Sequence, residues 1–247
     1  MDDFARIITE ELDRWQQAGK VARFWLRDDD AVEPSEPLER LLEITGAFSV
    51  PLTLAVIPAH TGDALARRLE REPSCAVAVH GWSHVNHAGA DEKKQELGRH
   101  RPASDVLAEL QRGFSHLADL HPNRFVPILV PPWNRIDAAL VPQLAGLGFE
   151  ALSVYGPEKP SALPVVNTHV DVMDWHGTRG GRDRMALAAE IVARLGQMFD
   201  QGGSLGLLTH HLVHDEAVWD FMNALFKSTA RHPACRWCRV TDILRDQ

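Results

Sequence analysis

Short apolar runs alternate with longer amphipathic stretches along most of the chain. Phe4, Ile7, Ile8, Leu12 and Trp15 recur at helical spacing and predict a helix over 2–18. Apolar runs predict seven strands, over 21–26, 52–57, 75–79, 125–130, 149–154, 165–170 and 204–208. Between them the pattern predicts helices over 37–48, 61–71 with Thr61 as N-cap, 104–120 with Ser104 as N-cap, and 136–147 closed by Gly148. Helices over 183–200, 216–230 and 241–245 follow. Near-continuous apolar strands alternating with helices imply an α/β fold, a parallel sheet curled into an irregular (β/α)7 barrel. The stretch 88–103, AGADEKKQELGRHRPA, is polar and long for a strand-to-helix connection, and is expected to be a rim loop or lid.

In such folds the chemistry gathers where strands end. The first strand runs into Asp28-Asp29-Asp30. The second is followed by Pro58-Ala59-His60, and the third by His80, His84 and His87. The fourth ends in Pro131-Pro132-Trp133-Asn134, and the fifth in Ser153 to Tyr155. The sixth ends near Asp171, Asp174 and Trp175, the seventh in Thr209-His210-His211. The predicted N-terminal strand ends carry no such gathering. Carboxylates and imidazoles from several strand ends would meet at one barrel mouth.

Length and charge narrow the classes. A chain of 247 residues suits one domain, with 1–20 as an N-terminal helical region. A net charge of −8 argues against nucleic acid or an anionic membrane surface as partner. No run is apolar enough for a transmembrane helix, and the first residues lack the basic start and apolar stretch of a signal peptide, so a cytoplasmic protein is expected. Cys75, Cys235 and Cys238 fit a reducing compartment, and the lone Cys235–Cys238 CxxC reads as structural. Composition does not address oligomeric state. The histidine count, 13, is high for this length and directs attention to metal and acid–base chemistry.

His80 and His84 stand four residues apart, a spacing that lets two imidazoles reach one cation. A catalytic site needs a further ligand, usually a carboxylate, and the aspartate triplet offers one. With these motifs the sequence resembles the polysaccharide deacetylases of carbohydrate esterase family 4, the NodB-homology group. Leu26-Arg27-Asp28-Asp29 matches the first motif of that family, and a frame one residue later, on Asp29-Asp30, is the alternative. His80-Gly81-Trp82-Ser83-His84 matches the second motif, with Gly81 in place of Ser or Thr. Val130-Pro131-Pro132-Trp133 matches the third, with Val130 in place of Arg. Asp171 to Trp175 and Leu208-Thr209-His210 match the fourth and fifth.

The resemblance implies a metal-dependent hydrolase of non-peptide C–N bonds. In it, Asp29, His80 and His84 bind the metal, Asp28 is the base and His210 the acid, with His211 as the competing choice for acid. A backbone N–H near Trp133 is a candidate oxyanion donor. Trp82, Trp133, Asn134, Asp174, Trp175 and His211 are expected to line the substrate site, while Asp171 and Asp174 are expected to orient partners rather than bind metal. The mixed N/O set suits zinc, with cobalt, nickel or manganese as alternatives. The implied substrate is an N-acetylated small molecule or oligosaccharide. Val130 cannot orient a base as an Arg would, which leaves Arg135 or Arg27 as candidates for that task. Two rival readings follow: a ring-opening amidohydrolase acting on a small cyclic amide, and a non-catalytic sugar-binding protein that keeps the metal.

Overall fold

A computed structural model of the chain describes residues 2–246. Its sheet is built from parallel strands in the order β5-β4-β3-β2-β1-β7-β6. These are β1 (Ala22–Ala31), β2 (Leu52–Val56), β3 (Cys75–His80), β4 (Phe125–Val130), β5 (Ala151–Leu152), β6 (Val170–Asp171) and β7 (Leu205–Thr209). Bridges Leu152↔Val165 and Tyr155↔Thr168 join the two ends of that order, so the sheet curls into the expected barrel. The helices α1 (Asp3–Gln17), α2 (Glu36–Phe48), α3 (Asp63–Leu69), α4 (Ala103–Leu120), α5 (Arg184–Gln201), α6 (Glu216–Thr229) and α7 (Val240–Arg245) cover it. None among the described residues is long and apolar enough to cross a membrane.

Side chains alternate along each strand, and the two faces build two cores. Phe24, Leu26, Leu54, Val56, Val77, Val79 and Leu207 point outward into a large layer under the helices. Trp25, Ala55, Ala78, Ile128, Val130 and Ala151 point inward and fill the barrel. The interior takes the Trp25 indole because β7 offers Gly206 opposite it. A Cβ there would lie 2.6 Å from the indole nitrogen and 2.6 Å from the Asn167 carbonyl oxygen. α1 docks on α5 and α6 through edge-to-face pairs, Phe4 with Phe221 and Trp15 with Phe199.

Several expected elements differ. β1 continues beyond residue 26 through all three aspartates. The helix expected over 61–71 starts at Asp63 behind Gly62, and Thr61 is not its N-cap. The helix expected to be capped by Ser104 starts at Ala103 behind Pro102, without a side-chain cap. The segment 136–147 is not α-helical. Pro142 lacks the N–H that a helix running on from 136 would need at that point, and only Val141–Leu147 winds, as a 3₁₀ turn. Gly148 does close it, at φ 95. The fifth and sixth strands shrink to two residues each, because the chain there meets its neighbour through isolated bridges. An unexpected strand, β8 (Cys235–Trp237), pairs with the start of β1 and carries one half of the CxxC.

Candidate metal and catalytic site

The aspartate triplet spans a change of direction in β1. Arg27 and Asp29 follow Trp25 on the inward face, while Asp28 follows Leu26 outward. Between Asp28 and Ala31 the register with β2 slips by one residue, a β-bulge, and Asp30 takes the left-handed conformation at φ 72. The extra residue breaks the alternation, so Asp30 reaches the same mouth as Asp29.

There Asp30 meets the two histidines. Its Oδ1 lies 3.1 Å from His80 Nε2 and 3.3 Å from His84 Nε2. All three potential ligand atoms fall within 4.8 Å of one another. The His80 Nδ1–H donates to the Val130 carbonyl at 2.9 Å, which fixes the ring with Nε2 facing the Asp30 carboxylate. A carboxylate and two imidazole nitrogens converging in a largely buried pocket suit a divalent cation. Burial pushes the Asp30 carboxyl up, but His80 and His84 outweigh it and hold it well below the usual range. Burial and the neighbouring His80 push the His84 imidazole down, towards the neutral form a ligand needs.

The expected set Asp29, His80 and His84 is therefore not the one brought together; Asp30 stands where Asp29 was expected. Asp29 instead receives Arg27 through two hydrogen bonds, Nε to Oδ1 at 2.8 Å and Nη2 to Oδ2 at 3.0 Å. Arg27 also donates to Ser153 Oγ at 2.7 Å and Asn134 Oδ1 at 2.8 Å, and is fully buried. Of the two candidates for the missing arginine it is Arg27 that reaches a carboxylate in the site. Arg135 bonds the Lys94 carbonyl.

Asp28, expected as base, faces the helix layer. It is fully buried and accepts from His211 Nδ1 at 2.5 Å, the His211 backbone N–H at 2.9 Å and Thr209 Oγ1 at 2.7 Å. Burial pushes its carboxyl up, and the adjacent imidazole more than reverses that. His211 in turn is pulled down by burial and raised above its ordinary value by Asp28. His211, expected from the sequence as a substrate contact and as a competing acid, is thus turned away from the mouth. His210 faces it. Its positive form would favour ionised Asp30 and Asp171, both nearby. The Trp175 ring packs edge-on against it at 4.7 Å, and its Nδ1 is buried without a hydrogen-bond partner among the described residues. Asp171 accepts from Trp175 Nε1 at 2.8 Å and so steadies that ring.

The remaining expected contacts divide. Trp133 packs 4.3 Å from His84, and Asn134 bonds Arg27, so both border the cluster. Trp82 lies under the Arg112 guanidinium from α4, and Asp174 caps the turn at Gly177 and Thr178; neither is brought to the cluster. Six non-glycine residues have left-handed backbone among those described, and Asp30, His84, Trp133 and Asn134 are four of them. Such conformations cost energy and concentrate where function dictates geometry. Glu96, which no sequence motif singles out, is fully buried beside the His80–His84 turn.

Solved structures share this architecture. A candidate polysaccharide deacetylase from Mycobacterium smegmatis superposes with a TM-score of 0.66 at 19% identity, covering 92% of this chain and 90% of that one. The peptidoglycan deacetylase PdaC from Bacillus subtilis gives 0.57 at 16%, covering 91% and 89%. A family 4 acetyl xylan esterase from Clostridium thermocellum, solved with a cobalt ion, gives 0.56 at 15%, covering 90% of each chain. The chain has the fold of the family 4 carbohydrate esterases. No protein-family model matches its sequence, and no curated protein does. Within this esterase fold, the mouth of the barrel is where the Asp30 cluster, Asp29 and His210 converge.

Proposed function

We propose that the chain is a divalent-metal-dependent hydrolase that removes the acetyl group from an N-acetylated sugar, in an oligosaccharide or small conjugate. The observation that carries this reading is the pairing of Arg27 with Asp29 directly beside the Asp30–His80–His84 cluster. Together with His210 across the mouth, it supplies a cation site, a base and an acid in one place. The binder reading rested on Val130 standing where an arginine was expected; with Arg27 on Asp29, that motive for it disappears.

Asp30, His80 and His84 would hold the cation, with zinc as the proposed occupant. When bound, it supplies Lewis-acid polarisation of the amide carbonyl and lowers the pKa of water. Asp29 accepts the proton of the attacking water through a carboxylate whose plane Arg27 fixes with two bonds. His210 donates a proton to the departing nitrogen, which leaves poorly as a free amide anion. Trp175, anchored by Asp171, restricts the swing of that imidazole. Trp133 and Trp175 offer apolar faces to a sugar ring.

Elemental analysis and acetate release from N-acetyl chito-oligosaccharides test the assignment. Asp30→Ala should lose both metal and activity. Asp29→Asn should keep the metal and lose about 10²–10⁴-fold in turnover, the usual worth of general base catalysis. Metal retained by Asp30→Ala would overturn the ligand role of Asp30, and full turnover by Asp29→Asn would overturn the base role of Asp29.

A further inference from the structure

The loop 88–103 is tied into the molecule by one buried carboxylate. Glu96 is 0% exposed, and no Lys or Arg pairs with it among the described residues. Its partners are the backbone N–H groups of Ser83 at 2.8 Å and Trp82 at 3.2 Å, and the Ser83 hydroxyl at 3.1 Å. Burying a charge without a counter-ion is expensive. An apolar side chain here would leave those donors without this acceptor, so the carboxylate is explained by the turn it binds.

The groups Glu96 holds are the middle of the turn joining His80 to His84. That turn is left-handed at both ends, at Gly81 (φ 60) and at His84 (φ 57). Such a turn needs bonds from outside itself to persist. Glu96 supplies them, and the space a Cβ would need at Gly81 is occupied by its carboxylate and by the Pro132 ring, 2.6 Å away. Behind it the loop is fixed: Leu97 is fully buried, its carbonyl accepts from Asp137 N–H at 2.8 Å, and it bridges Ile136. The negative charge also lies close enough to His84 to act on it electrostatically.

We propose that Glu96 is a positioning residue for the cation site: it braces the 81–83 turn so that His84 is presented to the same cation as Asp30 and His80, and its charge adds to the field that holds that cation. This role rests on the metal-site reading above. In the segment expected as a rim loop or lid, cation affinity thus depends on a residue that is not itself a ligand.

Calorimetric titration of metal-stripped protein with Zn²⁺ and Co²⁺ tests this, with thermal melts beside each titration. Wild type, His80→Ala, Glu96→Gln, Glu96→Ala and the exposed loop variant Glu92→Gln are compared. Glu96→Ala should remain folded and bind about 10–100-fold more weakly, the usual cost of losing a residue that orients a ligand. Its Co²⁺ absorption bands should shift, Glu96→Gln should fall between it and wild type, and Glu92→Gln should match wild type. A folded Glu96→Ala that binds within twofold of wild type overturns the proposal. If Glu96→Ala does not fold, Glu96→Gln decides by the same criterion; if neither folds, Glu96 serves the fold and the proposal falls. Absence of binding by wild type would instead overturn the metal-site reading itself, so the two failures are distinct.

Discussion

Arg27 spends its guanidinium on Asp29, Ser153 and Asn134, and none of it reaches solvent. Removing it strands a buried carboxylate, and breaking a buried pair of this kind costs about 3–5 kcal/mol. Arg27→Met should lower the urea midpoint accordingly, while Arg135→Met, whose side chain only bonds a loop carbonyl, should not. Asp28 is the complementary case. Asp28→Asn removes the charge facing His211 and should destabilise by about 3 kcal/mol while metal content stays that of wild type. If Asp28→Asn loses metal but not stability, the division of the triplet is wrong. The frame of that triplet was legible in principle. Parity along β1 puts Trp25, Arg27 and Asp29 on one face, and an arginine between an indole and a carboxylate on the barrel side marks an ion pair. What parity could not show is the bulge, because nothing in the letters Asp-Asp-Asp says which one takes φ > 0.

At the scale of elements, the strands and helices that carry an uninterrupted period were legible, and the site lay at the predicted strand ends. What failed were the ends of helices. Thr61 and Ser104 have cap chemistry, yet Gly62 and Pro102 hold the cap positions, because the approach of the preceding chain, not side-chain preference, sets where the helix starts. The loop 88–103, expected as a rim loop or lid, holds a detail that the sequence also hides. Its composition is that of a solvated excursion, and only packing reveals that Glu96 and Leu97 turn inward. Gly81 is a turn residue whose role the sequence did hint at, since glycine stood where the resemblance led one to expect Ser or Thr. Gly81→Ala meets both a left-handed backbone and the Glu96 and Pro132 contacts. It should therefore weaken Co²⁺ binding at least tenfold in isothermal titration, more than Gly89→Ala, where the added carbon meets only Glu92, on the exposed outer loop.

Over the whole molecule, the barrel interior turns from apolar to charged towards its mouth. It rises from Trp25 through Arg27 to Asp29, so the charged layer lies on top of an apolar plug. Gly206→Ala would press on that plug against backbone and indole alike, and overpacking of this kind should cost about 1–3 kcal/mol in a thermal or urea melt. Acid sensitivity belongs to this scale as well. Burial at the end of α4 pulls His121 down from 6.5 to about 4, and its Nε2 has no partner among the described residues. The unfolded chain therefore binds a proton between those values that the folded one refuses, so this residue makes stability fall as pH drops from 6.5 to 4. In His121→Asn that contribution is gone. The stability of wild type relative to the variant should narrow steadily over this interval in urea titrations, and a difference independent of pH would contradict the assignment.

The left-handed backbone at Asp30 imposes two separate filters on what evolution or a library can place there. Asparagine, aspartate and glycine tolerate that conformation, whereas β-branched side chains resist it. Carboxylates, on the other hand, are what the two imidazoles require of a third ligand. Only aspartate passes both. A saturation library at position 30 should accordingly fall into three phenotypes: aspartate alone functional, asparagine and glycine folded but metal-free, and valine or isoleucine depleted already at the level of soluble protein.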